Sequence, residues 1–305
     1  MIGQTLSHAQ IDLGQSDPLR RHRAGKQTLV LGEHKSPVRF SDERFNCCPN
    51  YWHFSPYGFC PYGCAYCYLA GTRGVWFSPT VSSTAFYLGK LQDGLALDPL
   101  TGFSRTIIPF FAAHPYARLI LLTKSADVEN LLPLEHGGNV VLSWSLGSEA
   151  VWKHFEPGTP SPTERLAAMR RCAQAGYRTR AVIMPILPVG DWADGYTALI
   201  DELLSAAPIE RITLGSLCSF DNALRLTAAR LGEAHPLADL FRSAEKSPDG
   251  RRRFPLALRH ETYRLLLSHI RSRRPDLPVS LCLEDPSTFA DLALPDAIGQ
   301  CNCVL

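Results

Sequence analysis

Between residues 118 and 215, short apolar runs alternate with longer amphipathic stretches. Short apolar runs bounded by polar residues predict buried strands, and apolar residues three and four positions apart predict helices that cover them. Strands are predicted at Arg118–Lys124, Asn139–Ser145, Arg180–Pro185 and Ile209–Gly215. Helices are predicted near Ser125–Leu132, at Ser161–Gly176 and around Trp192–Ala206. This alternation predicts an α/β fold in which parallel strands form an open or closed barrel.

The two ends of the chain differ from this central region. Residues 1–45 lack sustained periodicity and are rich in His, Arg, Gly and Ser, which predicts an N-terminal extension, either an arm or a partly ordered segment. The C-terminal region, 241–305, contains a predicted helix at about Leu256–Arg271, a predicted strand at Leu277–Leu283 and a Cys-x-Cys tail. We therefore expect a barrel over residues 46–240 between these two segments.

Composition excludes few classes of protein. The chain has 305 residues, 45% hydrophobic and 20% charged, which is typical of a globular protein with one large barrel or two modest domains. No apolar stretch is long enough to cross a bilayer, and the N-terminus is too polar for a secretory signal, so we expect a cytoplasmic protein with no membrane partner. Thiols stay reduced in that compartment, so the ten cysteines are expected to be ligands, reactive thiols or core residues.

Three cysteines, Cys60, Cys64 and Cys67, lie within the loop 59–68. An Fe–S cluster is ordinarily held by four Cys thiolates, so a cube bound by a C-x3-C-x2-C motif leaves one iron open to a small chelating molecule. A four-cysteine zinc site instead favours two C-x2-C pairs and a closed tetrahedron. A structural zinc knuckle and three buried cysteines are the simpler alternatives.

The motif is that of the radical S-adenosylmethionine (AdoMet) enzymes, and loop 59–68 resembles their cluster loop. The resemblance implies a [4Fe-4S] cluster whose open iron takes the amino and carboxylate groups of AdoMet. It also implies that an electron from the cluster cleaves a C–S bond, and that the resulting 5′-deoxyadenosyl radical abstracts hydrogen from a substrate. An electron donor such as flavodoxin or ferredoxin is the implied partner.

A closer resemblance is to the spore photoproduct lyase family, whose landmarks occur in order from about residue 54 to 283. They are Tyr66 and Tyr68 around Cys67, Leu69, Gly71-Thr72, Leu122-Thr-Lys124, Ser145, His154-Phe-Glu-Pro-Gly-Thr159, Ala175-Gly-Tyr177, Pro185-Ile186, and Asp249-Gly-Arg-Arg-Arg-Phe254 with Arg259. The resemblance implies a partial (β/α)6 barrel of the TIM type. Active members of the family reverse a thymine dimer lesion in DNA by radical chemistry.

For individual residues, the resemblance implies that Cys60, Cys64 and Cys67 bind the cluster and that Lys124 and Ser145 contact AdoMet. It also implies that tyrosines at positions such as Tyr66 and Tyr68 lie near the radical path, although simple aromatic packing would explain them equally well.

Elementary chemistry agrees with the predicted AdoMet contacts. In parallel α/β folds, ligands bind at the carboxyl ends of strands, which places the pocket at Lys124, Ser145, Met184 and Ser216. A lysine there can pair with a carboxylate as a point charge, and a serine hydroxyl can bond ribose or carboxylate oxygens.

One departure from the family concerns cysteine. The resemblance implies a hydrogen-donating cysteine soon after the cluster loop, yet the stretch Leu88–Asp98 contains none. Spare cysteines occur at Cys47, Cys48, Cys301 and Cys303. A Cys-x-Cys tail folded over the barrel mouth could donate hydrogen, hold a soft metalloid substrate or bind an auxiliary metal, and the alternative is a flexible terminus without a role. Cys172 and Cys218 are expected to be structural.

Three functions follow. The first is a radical AdoMet enzyme acting on DNA or another nucleobase substrate. The second keeps the radical initiation but acts on a small molecule or soft atom held by the tail thiols, as in a natural-product or arsenic-modifying transferase, including aminocarboxypropyl transfer. The third is a non-catalytic zinc or Fe–S module that binds nucleic acid.

Charge and arginine content leave nucleic acid as a possible partner. The net charge of +2 is uninformative by itself. Arginine clusters at 20–23, 251–253 and 271–274 form a phosphate-tracking surface if they converge, and are otherwise solvated loops and helix ends. The oligomeric state stays open.

Overall fold

The structure is a computed structural model. It describes residues 14–27, 38–41, 46–49, 51–54, 62–67, 85–90, 92–114, 117–232, 235, 240 and 242–304. Among the helices within these ranges, none combines the length and the apolar composition needed to cross a bilayer.

Within the described ranges, the fold consists of two sheets with helices packed against the larger one. The strands are β1 (Val38–Ser41), β2 (Tyr51–Phe54), β3 (Ala85–Leu88), β4 (Arg118–Thr123), β5 (Val140–Leu146), β6 (Arg178–Ile186), β7 (Ile209–Ser216), β8 (Cys218–Ser219), β9 (Glu245–Lys246), β10 (Arg252–Arg253) and β11 (Val279–Leu281). The helices are α1 (Pro18–Gln27), α2 (Asp98–Thr101), α3 (Ser104–Ala112), α4 (Glu149–Phe155), α5 (Pro162–Gln174), α6 (Trp192–Ala206), α7 (Asp221–Leu231), α8 (Leu256–Arg273) and α9 (Pro286–Asp291).

The larger sheet has eight strands in the order β1-β2-β3-β4-β5-β6-β7-β11. Its neighbouring strands run parallel from β2 to β11, and β1 alone pairs antiparallel with β2. The smaller sheet is antiparallel in the order β8-β10-β9. The predicted mixed α/β fold with a mostly parallel sheet is therefore confirmed.

The central strands and helices lie where the sequence predicts them. The four predicted strands correspond to β4, β5, β6 and β7. Helix α5 begins with a capping box, because the Ser161 hydroxyl accepts from the Glu164 amide at 3.2 Å while the Glu164 carboxylate accepts from the Ser161 amide at 2.6 Å. It ends before Gly176, whose φ of +88° lies in the region that favours glycine.

The helix predicted near Ser125–Leu132 is wrong, because that segment forms turns. The Ser125 hydroxyl accepts from the Asp127 amide at 3.1 Å, and the Ser125 amide donates to the Thr123 hydroxyl at 2.8 Å. Such local bonds from side chain to backbone compete with helix formation. The helix-like apolar spacing has another cause, since Val128 and Leu131 are both buried in the core.

Elements at both ends of the chain join the sheet. Helix α1 and strand β1 lie within the predicted N-terminal extension, and β11 comes from the predicted C-terminal region. Strands as short as β1, β2 and β3 contain too few alternations to be found by periodicity. The division at residues 45 and 240 stays a prediction, and the large sheet takes strands from all three of its segments.

The two faces of the central strands differ in chemistry. Leu142 and Trp144 of β5 belong to the large apolar core, with residues of α5, α6 and α8. Val141 of β5 belongs to a smaller apolar cluster on the other face, with Tyr51, Ala85, Tyr87 and Ile120. Because side chains alternate along a strand, Ser143 and Ser145 follow Val141 on this inner face. The inner face therefore becomes polar toward the carboxyl ends of the strands.

Candidate active site

The described part of the cluster loop, residues 62–67, is anchored on the end of α4. The Gly63 and Ala65 amides donate to the carbonyls of Pro157 and Phe155 at 3.2 and 2.7 Å. A β-carbon on Gly63 would lie 3.2 Å from the Pro157 carbonyl oxygen, so the close approach favours glycine. Arg230 donates to the Gly63 and Cys64 carbonyls at 3.0 and 3.2 Å. Cys64 is thereby buried against the barrel.

Two predicted residues of this loop, Cys60 and Tyr68, lie outside the described residues. The other two predicted cluster ligands are joined by a turn, in which the Cys67 amide donates to the Cys64 carbonyl at 3.3 Å.

Four predicted site residues converge at the carboxyl ends of β4, β5 and β6. The Lys124 ammonium donates to the Ser145 hydroxyl at 2.6 Å and lies 5.7 Å from the centre of the Tyr66 ring. The Ser145 hydroxyl lies 3.5 Å from the Met184 carbonyl oxygen. A β-carbon on Gly215 would meet the Met184 sulfur at 2.6 Å, so the Met184 side chain covers Gly215 on β7. The structure thus brings together Tyr66, Lys124, Ser145 and Met184.

Ser216, the fourth strand-end residue of the predicted pocket, lies beside this group at the end of β7. It is buried, and its amide donates to the Tyr263 hydroxyl at 2.7 Å. The amide of Ser216 is therefore committed to α8 rather than to a ligand.

A buried carboxylate, Glu156, connects these residues. It accepts a hydrogen bond from the Tyr66 hydroxyl and forms an ion pair with Arg165, and its carboxylate lies 4.0 Å from the Lys124 ammonium. Arg165 also donates to the Ser145 and Pro160 carbonyls, both at 2.9 Å. Glu156 lies in the 154–159 landmark run, whereas Arg165, on an amphipathic helix rich in charge, gave no signal in the sequence. Sequence reasoning assigned a role to neither residue.

The charges fix the protonation states around Tyr66. Burial raises the pKa of Glu156, but the Lys124 and Arg165 charges outweigh burial, so its pKa is lowered overall. Burial raises the pKa of Tyr66 well above its usual value, and the Glu156 charge raises it further. Tyr66 is therefore a neutral phenol that donates to an ionised carboxylate.

Asp93 fixes the end of β4 that carries Lys124. Its carboxylate accepts from the Lys124 amide and from the Thr123 hydroxyl, both at 2.6 Å. It also accepts from the Leu95 amide at 2.9 Å. This residue lies in the stretch without cysteine after the cluster loop, and sequence reasoning did not single it out.

The C-terminal tail lies apart from this group. The Asn302 side chain accepts from the Ser143 hydroxyl at 2.8 Å, and Ser143 precedes Ser145 by two residues, about 6.6 Å, on the inner face of β5. The Cys301 carbonyl accepts from Arg211, near the start of β7, at 3.1 Å. The tail segment that contains the predicted residues Cys301 and Cys303 therefore lies against the inner face of the barrel at Ser143 and at the start of β7.

Comparison with known proteins places this arrangement in a family. A family model described as spore photoproduct lyase matches residues 77–215. The spore photoproduct lyase of Geobacillus sp. (strain Y412MC61) is 32% identical over 240 residues, which cover 71% of this chain and 68% of the relative. The chain belongs to the spore photoproduct lyase family. The spore photoproduct lyase of Bacillus subtilis (strain 168) is 28% identical over 231 residues, which cover 68% of this chain and 66% of that relative.

Solved structures of spore photoproduct lyases agree with this assignment. One, complexed with dinucleoside spore photoproduct, matches with a TM-score of 0.76 and 26% identity, and the match covers 90% of this chain and 89% of that chain. A double mutant of a spore photoproduct lyase, with bound AdoMet and dinucleoside spore photoproduct, matches with a TM-score of 0.76 and 26% identity, over 90% of this chain and 88% of that chain. The predicted partial-barrel architecture is confirmed.

Family membership makes the chain a radical AdoMet enzyme, with a [4Fe-4S] cluster and AdoMet as its cofactors. The enzyme hypothesis is confirmed against the non-catalytic module. The residues present fit these cofactors: Cys64 and Cys67 supply thiols, and Lys124 supplies a partly buried positive charge beside a hydroxyl. The Thr213 hydroxyl, two residues before Gly215 on the inner face of β7, is buried without a hydrogen-bond partner among the described residues, as expected of a ligand-facing group.

Proposed function

We propose that this enzyme reverses a spore-photoproduct type of thymine lesion in DNA. The observation that carries the proposal is the match over nine-tenths of the chain to a lyase complexed with dinucleoside spore photoproduct. Residues 77–215, which the family model matches, include the strand ends where Lys124, Ser145 and Met184 converge. The proposed electron donor is a flavodoxin or ferredoxin.

Cys60, Cys64 and Cys67 hold the cluster in this proposal. When bound, the cluster supplies the electron that cleaves a C–S bond of AdoMet and so starts the radical chemistry. The Gly63, Ala65 and Arg230 bonds keep residues 62–67 in one place against α4 and α7. This rigidity positions the Cys64 and Cys67 thiols before any cofactor binds.

Lys124 and Ser145 bind AdoMet in this proposal, and Met184 lines the same site. The Lys124 ammonium attracts the AdoMet carboxylate, and the Ser145 hydroxyl, 2.6 Å away, is in place to bond the same ligand. Glu156 offsets part of the Lys124 and Arg165 charges, so that a buried arginine and a partly buried lysine lie close together at one position.

Tyr66 holds its proton beside this site. Its hydroxyl is bound to Glu156, and its ring lies beneath the Lys124 ammonium. We propose Tyr66 and Tyr68 as the tyrosines nearest to the reacting groups. Asn302, which lies between Cys301 and Cys303, contacts Ser143 rather than Ser145. This position favours a role for the two cysteines other than hydrogen donation.

The arginine clusters give the DNA hypothesis limited support. Arg252 pairs with Asp221, and Arg253 pairs with Asp249 and also donates to Asn46. In the third cluster, Arg273 pairs with Asp201. These internal pairs favour a structural role for the second cluster, and DNA contacts are better sought near the strand ends.

The test is a turnover assay with dinucleoside spore photoproduct, AdoMet and a one-electron reductant under anaerobic conditions. We expect conversion of the lesion to the repaired dinucleotide, an isomerisation that leaves the hydrogen count of the dinucleotide unchanged, and no conversion by Cys64→Ala. Formation of 5′-deoxyadenosine while the lesion stays intact would refute the substrate. Methylthioadenosine as the main fragment would instead indicate aminocarboxypropyl transfer.

A further inference from the structure

Four cysteines that the proposed reaction does not use meet in the fold. Cys48 precedes β2, Cys282 follows β11, and Cys301 and Cys303 belong to the tail. The Cys48 thiol is in hydrogen-bonding contact with the thiols of Cys282 and Cys301, and the Cys301 thiol is in contact with that of Cys303. The Cys48 sulfur also accepts from the Leu283 amide at 3.3 Å. We call these four residues the seam cysteines.

The backbone around the seam cysteines joins the two ends of the large sheet. The Cys47 amide donates to the Glu284 carbonyl at 2.8 Å, and the Gly299 amide donates to the Cys47 carbonyl at 3.2 Å. The Cys282 amide donates to the Leu214 carbonyl at 2.8 Å. Since β1 and β2 form one end of the strand order and β11 the other, the Cys47–Glu284 bond lies across the open side of the barrel, whereas the Cys282–Leu214 bond extends the pairing of β11 with β7.

Ordinary packing does not account for four thiols in contact. A buried structural cysteine behaves as a small hydrophobic residue, as Cys172 does within the large apolar core. The seam cysteines contact one another and come from three segments far apart in sequence, and Cys303 also packs against the smaller apolar cluster around Val141. The cysteines in the described part of the chain are all thiols rather than disulfides.

The donor set points to one class of ligand. Thiolates select soft or borderline cations, and four of them form the closed tetrahedral site typical of structural zinc. Among the described residues, no group of three or more metal-ligating side chains is already arranged around one point. Closure on an ion therefore requires side-chain rotation, and Cys48, Cys282 and Cys303 are only partly buried, which leaves room for it.

We propose that Cys48, Cys282, Cys301 and Cys303 bind one thiophilic divalent cation of the zinc class. The ion ties the C-terminal tail to both ends of the sheet and so closes the open side of the barrel. Four protein ligands leave no open position, so the role is structural. This site is separate from the cluster loop and does not depend on the proposed substrate.

The test uses Co2+ as the probe, in the full chain carrying Cys60→Ala, Cys64→Ala and Cys67→Ala so that the cluster loop cannot contribute. We expect about one equivalent of Co2+ to bind with thiolate charge-transfer and tetrahedral d–d absorption bands, and Zn2+ to displace it. Adding Cys301→Ser and Cys303→Ser is expected to abolish these bands. Adding Cys172→Ala, the matched control at a buried cysteine, is expected to preserve them.

Three results would overturn the proposal: no thiolate bands in the cluster-loop variant, bands that survive the tail substitutions, or loss of two free thiols to a disulfide on anaerobic purification. Because a variant can fail to fold, the wild-type holoenzyme gives a second measurement. We expect it to contain about one zinc per chain in addition to about four irons. Wild-type enzyme with the irons but without zinc or another thiophilic ion would also contradict the proposal.

Discussion

Replacing Arg165 with methionine is expected to destabilise the fold by about 3–5 kcal/mol, because it removes the fully buried ion-pair partner of a buried carboxylate. Arg165 is 0% exposed and Glu156 is 2% exposed, so water cannot solvate the Glu156 carboxylate after the Arg165 charge is removed. The Ser145 and Pro160 carbonyls also lose a donor. Methionine fills a similar volume, so a cavity contributes little to the loss.

The assay is urea unfolding of the cofactor-free chain, followed by tryptophan fluorescence at neutral pH. The matched control is Arg171→Met on the same helix, where the side chain is 44% exposed and pairs with an exposed Glu129 at 2.7 Å. A surface pair of this kind contributes about 0–1 kcal/mol, so the control is expected to unfold close to wild type.

A double-mutant cycle separates the ion pair from general packing. Glu156→Gln together with Arg165→Met is expected to be less destabilised than the sum of the two single variants, since the fully buried Arg165 and Glu156 charges are then both absent and only the partly exposed Lys124 loses its carboxylate. Additive losses, or a loss below about 1 kcal/mol for Arg165→Met, would refute the account of this pair.

The remaining predictions concern the same site. Lys124→Ala is expected to weaken AdoMet binding about 10- to 100-fold by calorimetry, the effect of losing a charge-assisted hydrogen bond. The control Lys153→Ala removes an exposed lysine paired with Glu149 and is expected to leave AdoMet affinity unchanged. Equal affinities of the two variants would contradict the assignment of Lys124 to AdoMet. Gly215→Ala is expected to displace the Met184 side chain and destabilise the fold by about 1–3 kcal/mol in urea unfolding, and a wild-type midpoint would show that the two do not touch. Burial raises the pKa of Glu156, but Lys124 and Arg165 lower it overall. The ionised Glu156 therefore stabilises the fold above the ordinary glutamate pKa, and this stabilisation is lost as the pH falls through the lower pKa of the folded state. Glu156→Gln is expected to lose less stability than wild type on acidification, and parallel profiles of stability against pH would count against this.

The sequence predicted the features that depend on neighbouring residues. Helix α5 has its cap at Ser161 and Glu164 and its stop at Gly176, and the strands β4–β7 are long enough to show their periodicity. The convergence of Lys124, Ser145 and Met184 also followed from the rule that parallel strands end at one edge.

The features that sequence reasoning missed depend on contacts between distant segments. Cys48 and Leu283 are 235 positions apart and in contact, and no local pattern encodes such a pair. Arg165 looked like a surface residue of an amphipathic helix, and its burial follows only from the position of Glu156 in the folded chain. In the segment 125–132, the Thr123 and Ser125 hydroxyl groups accept from the Ser125 and Asp127 amides, and these local bonds are not visible in the apolar spacing that predicted a helix.

The central claim is that Cys60, Cys64 and Cys67 hold a cluster with one iron left for AdoMet. The most direct measurement is a Mössbauer spectrum of chain reconstituted with iron-57, recorded with and without AdoMet. We expect the Mössbauer signal of about one iron in four to become distinct from the signal of the others when AdoMet is added. We expect Lys124→Ala to require more AdoMet for the same spectral change. A spectrum that stays the same at saturating AdoMet would contradict the account.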